Sequence, residues 1–401
     1  MLPDFRSRAT LLDHIRHTKA FYDPRCVDPS GGFYHFYKDD GTVYDAHTRH
    51  LVSSTRFVFN YAMAYRQFGE QADLQRMRHA LAFLRDAHRN PASGGYAWEL
   101  RWQDGRATVL DATNHCYGLA FVVLAYSHAL MAGVEEARAH VAETFELMER
   151  HFWESQHGLY ADEATADWQV GSYRGQNANM HACEALITAF EATGEVRYLH
   201  RAETLARNIA VRQAALADNM VWEHYNSDWS VDPDYNRHDS TNIFRPWGYQ
   251  PGHLTEWAKL LLILERHQAH LAGDSSWLAP RAAELFDAAL SKAWDHQHGG
   301  IHYGFAPDGS ICDAHKYFWV QAESFAAAAL LAERTGESRY WDWYQKIFAY
   351  SWEHFVDHQH GAWYRILAAD NSKMTDEKSP AGKTDYHTMG ACYEVLNVLK
   401  D

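Results

Sequence analysis

A histidine returns at one place in a helix-pair repeat, and that recurrence constrains the fold more than any other feature. His115, His181, His253 and His387 each lie near the start of a long apolar helical segment. Their successive spacings are 66, 72 and 134 residues, the last being two steps of 67. At the intermediate step the segment opens Tyr317-Phe318-Trp319-Val320-Gln321-Ala322-Glu323, with aromatic and polar groups replacing the histidine. A repeat of this length, with imidazoles gathered at one end, predicts a ring of helices lining a polar pocket.

Helical periodicity runs through the chain. Leu74, Met77, Leu81 and Leu84 share one face, as do Tyr198, Ala202, Leu205 and Ile209, with polar backs such as Arg76, Arg78, Arg85 and Asp86. These read as outer helices. Alternating with them are more uniformly apolar segments at 116–132, 180–193, 254–265, 318–334 and 387–399, rich in Ala and suited to an inner layer. Between outer and inner helices comes a Gly-aromatic punctuation: Gly31-Gly32-Phe33-Tyr34, Gly94-Gly95-Tyr96, Gly158-Leu159-Tyr160, Gly299-Gly300-Ile301 and Gly361-Ala362-Trp363. Asp-Gly turns at 40–41, 104–105 and 308–309 add hairpin chemistry. About six helix–helix–hairpin units follow one another without a Pro- or Ser-rich linker. An open tetratricopeptide-like solenoid competes, but its turns are short, whereas these connections are long and strand-like. The expectation is an all-α chain, one (α/α)6 barrel over residues 1–401, with six inner helices, six outer helices and short β-hairpin loops.

A formal net charge of −15 argues against nucleic acid and anionic membrane as partners. The N-terminus has no apolar signal region, and no stretch approaches a transmembrane span. Five cysteines form no CxxC pair, and Cys116, Cys183 and Cys392 fall in apolar helical runs, which fits buried free thiols and a cytoplasmic setting. The chain is rich in chemistry-bearing rings: 27 His, 15 Trp and 23 Tyr. Aromatic faces stack on sugar rings, and imidazoles move protons near neutral pH.

Two segments carry the candidate chemistry. In Pro251-Gly252-His253-Leu254-Thr255-Glu256-Trp257 the Pro and Gly set a helix start at about residue 252, with His253 in the first turn. There the helix dipole disfavours imidazolium, and Glu256, three residues on, is placed to orient the ring. In Lys383-Thr384-Asp385-Tyr386-His387, Thr384 or Asp385 is a candidate N-cap, again putting His387 in a first turn. His181 repeats the pattern, with Asn179 as a possible cap and Glu184 at i+3; His115 follows Asn114. Singly, a helix-start histidine is more often structural; four such placements favour acid/base chemistry. Arg56, ahead of Phe57-Val58-Phe59, reads equally as an oxyanion stabiliser or as half of a buried ion pair. The His-x-x-Glu order departs from di-iron Glu-x-x-His, and dense Cys/His zinc spacing is missing, so no metal or other cofactor is expected.

The stretches His47-Thr48-Arg49 through Arg56, Asn177-Ala178-Asn179-Met180-His181, Pro251 through Trp257, and the closing Tyr386-His387 helix together resemble the N-acylglucosamine 2-epimerase superfamily. The likeness spans nearly the whole chain and is strongest to the aldose–ketose isomerase branch. It implies a metal-independent (α/α)6 barrel acting on the reducing end of a free sugar. It further implies His253 and His387 as the acid/base pair and Arg56 as the enediolate-stabilising arginine. Asn177, His181 and Trp319 become sugar-binding positions, with Glu256 and Glu323 in support and His115 as a pocket histidine. Loops 166–176 and 218–245 are expected to shape the mouth. The implied activity is interconversion of D-mannose and D-fructose. Alternatives are a sugar 2-epimerase of N-acylglucosamine or cellobiose type, an isomerase of a 6-modified hexose, a glycoside hydrolase using two of Glu184, Glu256 and Glu323, and a non-enzymatic solenoid scaffold. The expected partner is a small-molecule sugar; monomer and homo-oligomer are both compatible with the sequence.

Overall fold

A computed structural model describes residues 2–239, 242 and 244–399. Among these residues the helices, in chain order, are α1 (Arg8–Tyr22), α2 (Leu51–Phe68), α3 (Gln71–Phe83), α4 (Cys116–Met131), α5 (Ala137–His151), α6 (Gln176–Thr193), α7 (Val196–Arg207), α8 (Pro251–Glu265), α9 (Leu278–Ala293), α10 (Phe318–Thr335), α11 (Ser338–His354) and α12 (Tyr386–Val398). Even-numbered helices are buried on nearly all sides, as their uniformly apolar sequences require, and odd-numbered ones bury a single stripe.

The even helices pack in sequence around a ring, and α12 returns to touch α2. Each odd helix backs one even helix, and α1, first in the chain, covers α12, the last. This is a closed (α/α)6 barrel of six inner and six outer helices, so the open-solenoid alternative falls. Ala326 to Ala329 are fully buried, so α10 can pack closely against neighbours on both sides. No helix among the described residues is long and apolar enough to cross a membrane. The five cysteines are unpaired, and only Cys312 is partly accessible.

The Gly-aromatic punctuation forms one small hairpin after an outer helix in most units. The bridges are Val27 to Phe33, Arg89 to Tyr96, Trp294 to Ile301 and Val356 to Trp363, with Trp153–Glu154 on Leu159–Tyr160 as the equivalent pair. Gly300 shows why glycine is needed: it has φ +80°, and a Cβ there would meet the Tyr350 ring at 2.5 Å.

Four of these hairpins carry an acid, buried in three and half-buried at Glu154, whose partner is a cation 20 or 21 residues later: Asp28 with Arg49, Glu154 with Arg174, Asp295 with Lys316, and Asp357 with Lys378. In the first three the cation lies two residues before an inner helix. The three aspartates also tie down their own turns; Asp295, for example, accepts from the backbone N–H groups of Gln297 and His298 at 2.8 and 3.0 Å. Such clips fasten the hairpin end of these four units to a later segment, and in the first three they fix where an inner helix begins.

Candidate active site

The N-terminal ends of the inner helices converge on a cavity of about 190 Å³. Arg56, Asn177, His181, His253, Glu256, Trp319 and His387 all stand on its wall. Two residues expected there do not. Glu323 sits behind His387, and His115 lies tilted against Trp98 with ring centroids 4.1 Å apart and its Nδ1 3.7 Å from Glu163. Burial lowers the His115 pKa to about 4. Phe244 and Pro246 bring the 218–245 loop and its continuation to the mouth; residues 240, 241 and 243 of that loop lie outside the described residues.

Pro251 opens α8 at its first position and puts His253 in the first turn. A Cβ on Gly252 would meet Trp319 at 2.5 Å, so glycine lets the α8 backbone lie against the indole. Trp319 then stands between the two histidines, with ring centroids 5.0 Å from His253 and 5.8 Å from His387. It is an aromatic floor flanked by imidazoles, a flat apolar face beside two proton-exchanging groups.

Three first-turn expectations need correction. The Glu256 carboxylate does not orient His253. Glu223, on the segment feeding strand His224–Tyr225, lies with Oε1 2.9 Å from His253 Nδ1. His181 is not in a first turn, because α6 starts at Gln176. Asn179 is therefore inside the helix, and its side-chain amide pairs with the backbone of Tyr160 at 2.8 and 3.0 Å instead of capping. Asp385 is the N-cap residue of α12, in the left-handed region at φ 53°, but its side chain caps nothing; it binds Lys383, Tyr22 and Thr388.

His387 lies with Nδ1 2.6 Å from Glu323 Oε1, and the second Glu323 oxygen accepts from the buried Lys259 ammonium. A carboxylate on each Nδ1 keeps a proton there and leaves Nε2 as the nitrogen through which each ring exchanges protons with the cavity. On His387 that nitrogen is 3.2 Å from an Arg56 NH2 group, which also donates to Tyr117 Oη at 3.3 Å. Arg56 donates further to the Gly382 carbonyl and has no carboxylate at ion-pair distance among the described residues. Its charge is therefore free to meet a developing oxyanion. The other wall cations are neutralised: Arg365 by Glu377 at 3.2 Å and Lys383 by Asp385 at 2.5 Å.

Glu256 is fully enclosed, with neither carboxylate oxygen hydrogen-bonded. Burial first, and the neighbouring Glu323 second, raise its pKa well above the carboxyl range, against Lys259 and Arg56. A carboxyl shifted in this direction holds its proton more readily than an ordinary one. His181 is backed by Glu184 at 2.9 Å, and Asn177 presents a buried, unpartnered Oδ1.

Two groups bring donor atoms within 4.8 Å of one another, as a metal would need: His181, Glu184 and Glu256, and Glu256, Glu323 and His387. In both, the imidazole Nδ1 already pairs with a carboxylate, and Arg56 or Lys259 holds positive charge close by. That donor set shares protons more readily than it cages a cation.

The sequence profile of N-acylglucosamine 2-epimerases matches residues 31–391. A D-mannose isomerase of Marinomonas mediterranea is 56% identical over 399 residues, with 99% of each chain covered. A solved D-mannose isomerase structure superposes with a TM-score of 0.95 at 55% identity, covering 99% of this chain and 100% of that one. The cellobiose 2-epimerase of Spirochaeta thermophila, at 24% identity, shares the fold with a TM-score of 0.84 over 98% and 96% of the two chains. With this barrel, these paired histidines and that profile, the chain belongs to the N-acylglucosamine 2-epimerase family.

Proposed function

We propose that the protein is an aldose–ketose isomerase that interconverts D-mannose and D-fructose through a 1,2-enediolate. The observation that carries this reading is the pair of carboxylate-backed histidines flanking Trp319, with Arg56 on the open nitrogen of one of them. The 56% identical relative is itself named a D-mannose isomerase. The small cavity and its neutralised rim cations favour an uncharged monosaccharide over a phosphorylated or longer sugar.

Once the hemiacetal has opened, with His253 assisting proton exchange at oxygen, C2–H lies alpha to the C1 aldehyde. His387 Nε2 removes the C2 proton, and the electron pair moves into the enediolate. Arg56 leaves His387 for the two enediolate oxygens. The same imidazolium returns the proton to C1 as the C2 carbonyl forms. A 2-epimerase would instead return the proton to the opposite face of C2.

EDTA-treated protein incubated with mannose in D2O and followed by NMR is expected to yield fructose. Glucose without fructose would move the assignment to 2-epimerase, and loss of activity on chelation would overturn the reading of these clusters as metal-free. Arg56→Lys keeps the charge but loses the planar fork that spans two oxygens. Its kcat is expected to fall about 10²-fold, the loss reported for a single oxyanion donor. An unchanged kcat would make Arg56 structural.

A further inference from the structure

The two catalytic histidines are backed by carboxylates in different electrostatic states. Behind His253, the Glu223 carboxylate receives, besides that ring, only a neutral amide among the described residues: Gln176 Nε2 donates at 3.0 and 3.3 Å, and Gln176 Oε1 accepts from Trp257 Nε1 at 2.7 Å. Behind His387, the Glu323 carboxylate is paired with the Lys259 ammonium. All these groups are buried. Glu223 thus keeps its whole charge for His253, while the charge of Glu323 is largely compensated before it reaches His387.

The remaining surroundings act in the same direction. Facing His387 are Arg56 from α2, His181 and Glu184 from α6, Glu256 and Lys259 from α8, Glu323 from α10, and Tyr386 on its own helix. Around His253 stand Glu223, the neutral Trp319 of α10, the more distant His181, and Glu256 three residues on in its own helix. Arg56 and Lys259 bracket His387, and His253 has no cation in contact among the described residues. Burial, followed by Arg56, His181 and Lys259, pushes the His387 pKa well below the ordinary imidazole range.

We propose that Lys259, acting through Glu323, fixes the division of labour between the histidines: it keeps His387 neutral as the carbon base and leaves His253 as the oxygen acid. The proposal rests on the isomerase reading above. Lys259 does not reach the cavity wall, so it is a positioning residue. In the step it governs, the C2–H bond breaks, the proton goes to His387 Nε2, and the pair enters the C1–C2 bond. His253 Nε2–H protonates O1. In the second half C1 takes the proton from His387, and His253 recovers one from the O2 hydroxyl as the ketone forms. Both histidines end as they began.

Without Lys259 the Glu323 charge is uncompensated, imidazolium at His387 is favoured, and the base must be deprotonated at higher pH. In Lys259→Met the acid limb of kcat/KM with mannose is expected to move up by about one pH unit, a loss of roughly tenfold below the limb with recovery above it. The ¹⁵N titration of His387, recorded without sugar, should move the same way. Lys259→Gln keeps a neutral donor for Glu323 and gives the same readout if the Met variant fails to fold. An equal loss at every pH, with an unmoved His387 titration, overturns the proposal. If the wild type does not turn over mannose, the isomerase reading fails, and the NMR titration still decides whether Lys259 tunes His387.

Discussion

His387→Asn is expected to lower kcat on mannose by roughly 10²–10⁴, the usual contribution of a positioned general acid or base. The asparagine amide fits the space of the ring and can still donate to Glu323, which lies 2.6 Å from the imidazole Nδ1. The lone pair that meets the cavity at Nε2 has no substitute. Little else changes: the side chain is buried against Trp319, Phe318 and Tyr386, and those contacts need bulk more than basicity. Thermal unfolding should therefore stay near wild type while turnover collapses. Steady-state kinetics with a melting curve on the same preparation separates the two quantities. Turnover near wild type would remove His387 from the mechanism and leave His253 or His181 as the carbon base.

The helical layers were legible because burial itself dictates them: an outer helix must show one apolar stripe and an inner one must be apolar all round. Helix starts were legible where a breaker or a cap residue marks them; Asp385 precedes α12 as expected and puts His387 in its first turn. Pro251 and Gly252 announce α8, and His253 fell where expected. Ahead of His181 no such signal exists, and the Asn-Ala-Asn run imitates a cap although α6 already begins at Gln176. The partner of His253 was invisible for a different reason. Local geometry offers Glu256 at i+3, while Glu223 immediately precedes strand His224–Tyr225, whose pairing with Arg174–Gly175 is a tertiary fact. The family resemblance implies Glu323 as a support, but its bond to His387 crosses from α10 to α12 and no spacing reveals it. One signal was present and unused: an acid followed 20 or 21 residues later by Arg or Lys, in four of the six units.

That spacing carries a stability prediction of comparable size. Lys316 is fully buried, and its ammonium donates to Asp295, the Ala369 carbonyl and Asn371, each at 2.8 or 2.9 Å. Lys316→Met should fill much of the same volume and leave all three acceptors short of a donor. Removing one partner of a buried pair costs about 3–5 kcal/mol, chiefly because the other charge stays buried and unpaired. Against a typical total of about 5–15 kcal/mol, the shift in urea midpoint should be unmistakable. The pH dependence identifies the cause. Burial alone would raise the Asp295 carboxyl, but Lys316 and the N–H groups of His298 and Gln297 hold its pKa down at about 2. A depressed carboxyl contributes stability above its unfolded pKa, near 3.9, and loses it as pH falls from there toward 2. In the variant the unpaired carboxyl protonates earlier, so the deficit should be largest at pH 7 and narrow toward pH 4.5. Adding Asp295→Asn should recover part of the loss, because it removes the orphaned charge. A midpoint unmoved at pH 7 would show that the clip does not hold the barrel. A deficit that stays constant with pH and ignores Asp295→Asn would trace the loss to packing alone. Because Lys316 lies two residues before α10, the same variant should also raise KM: the strand it anchors sets the position of Trp319, the floor between the two histidines.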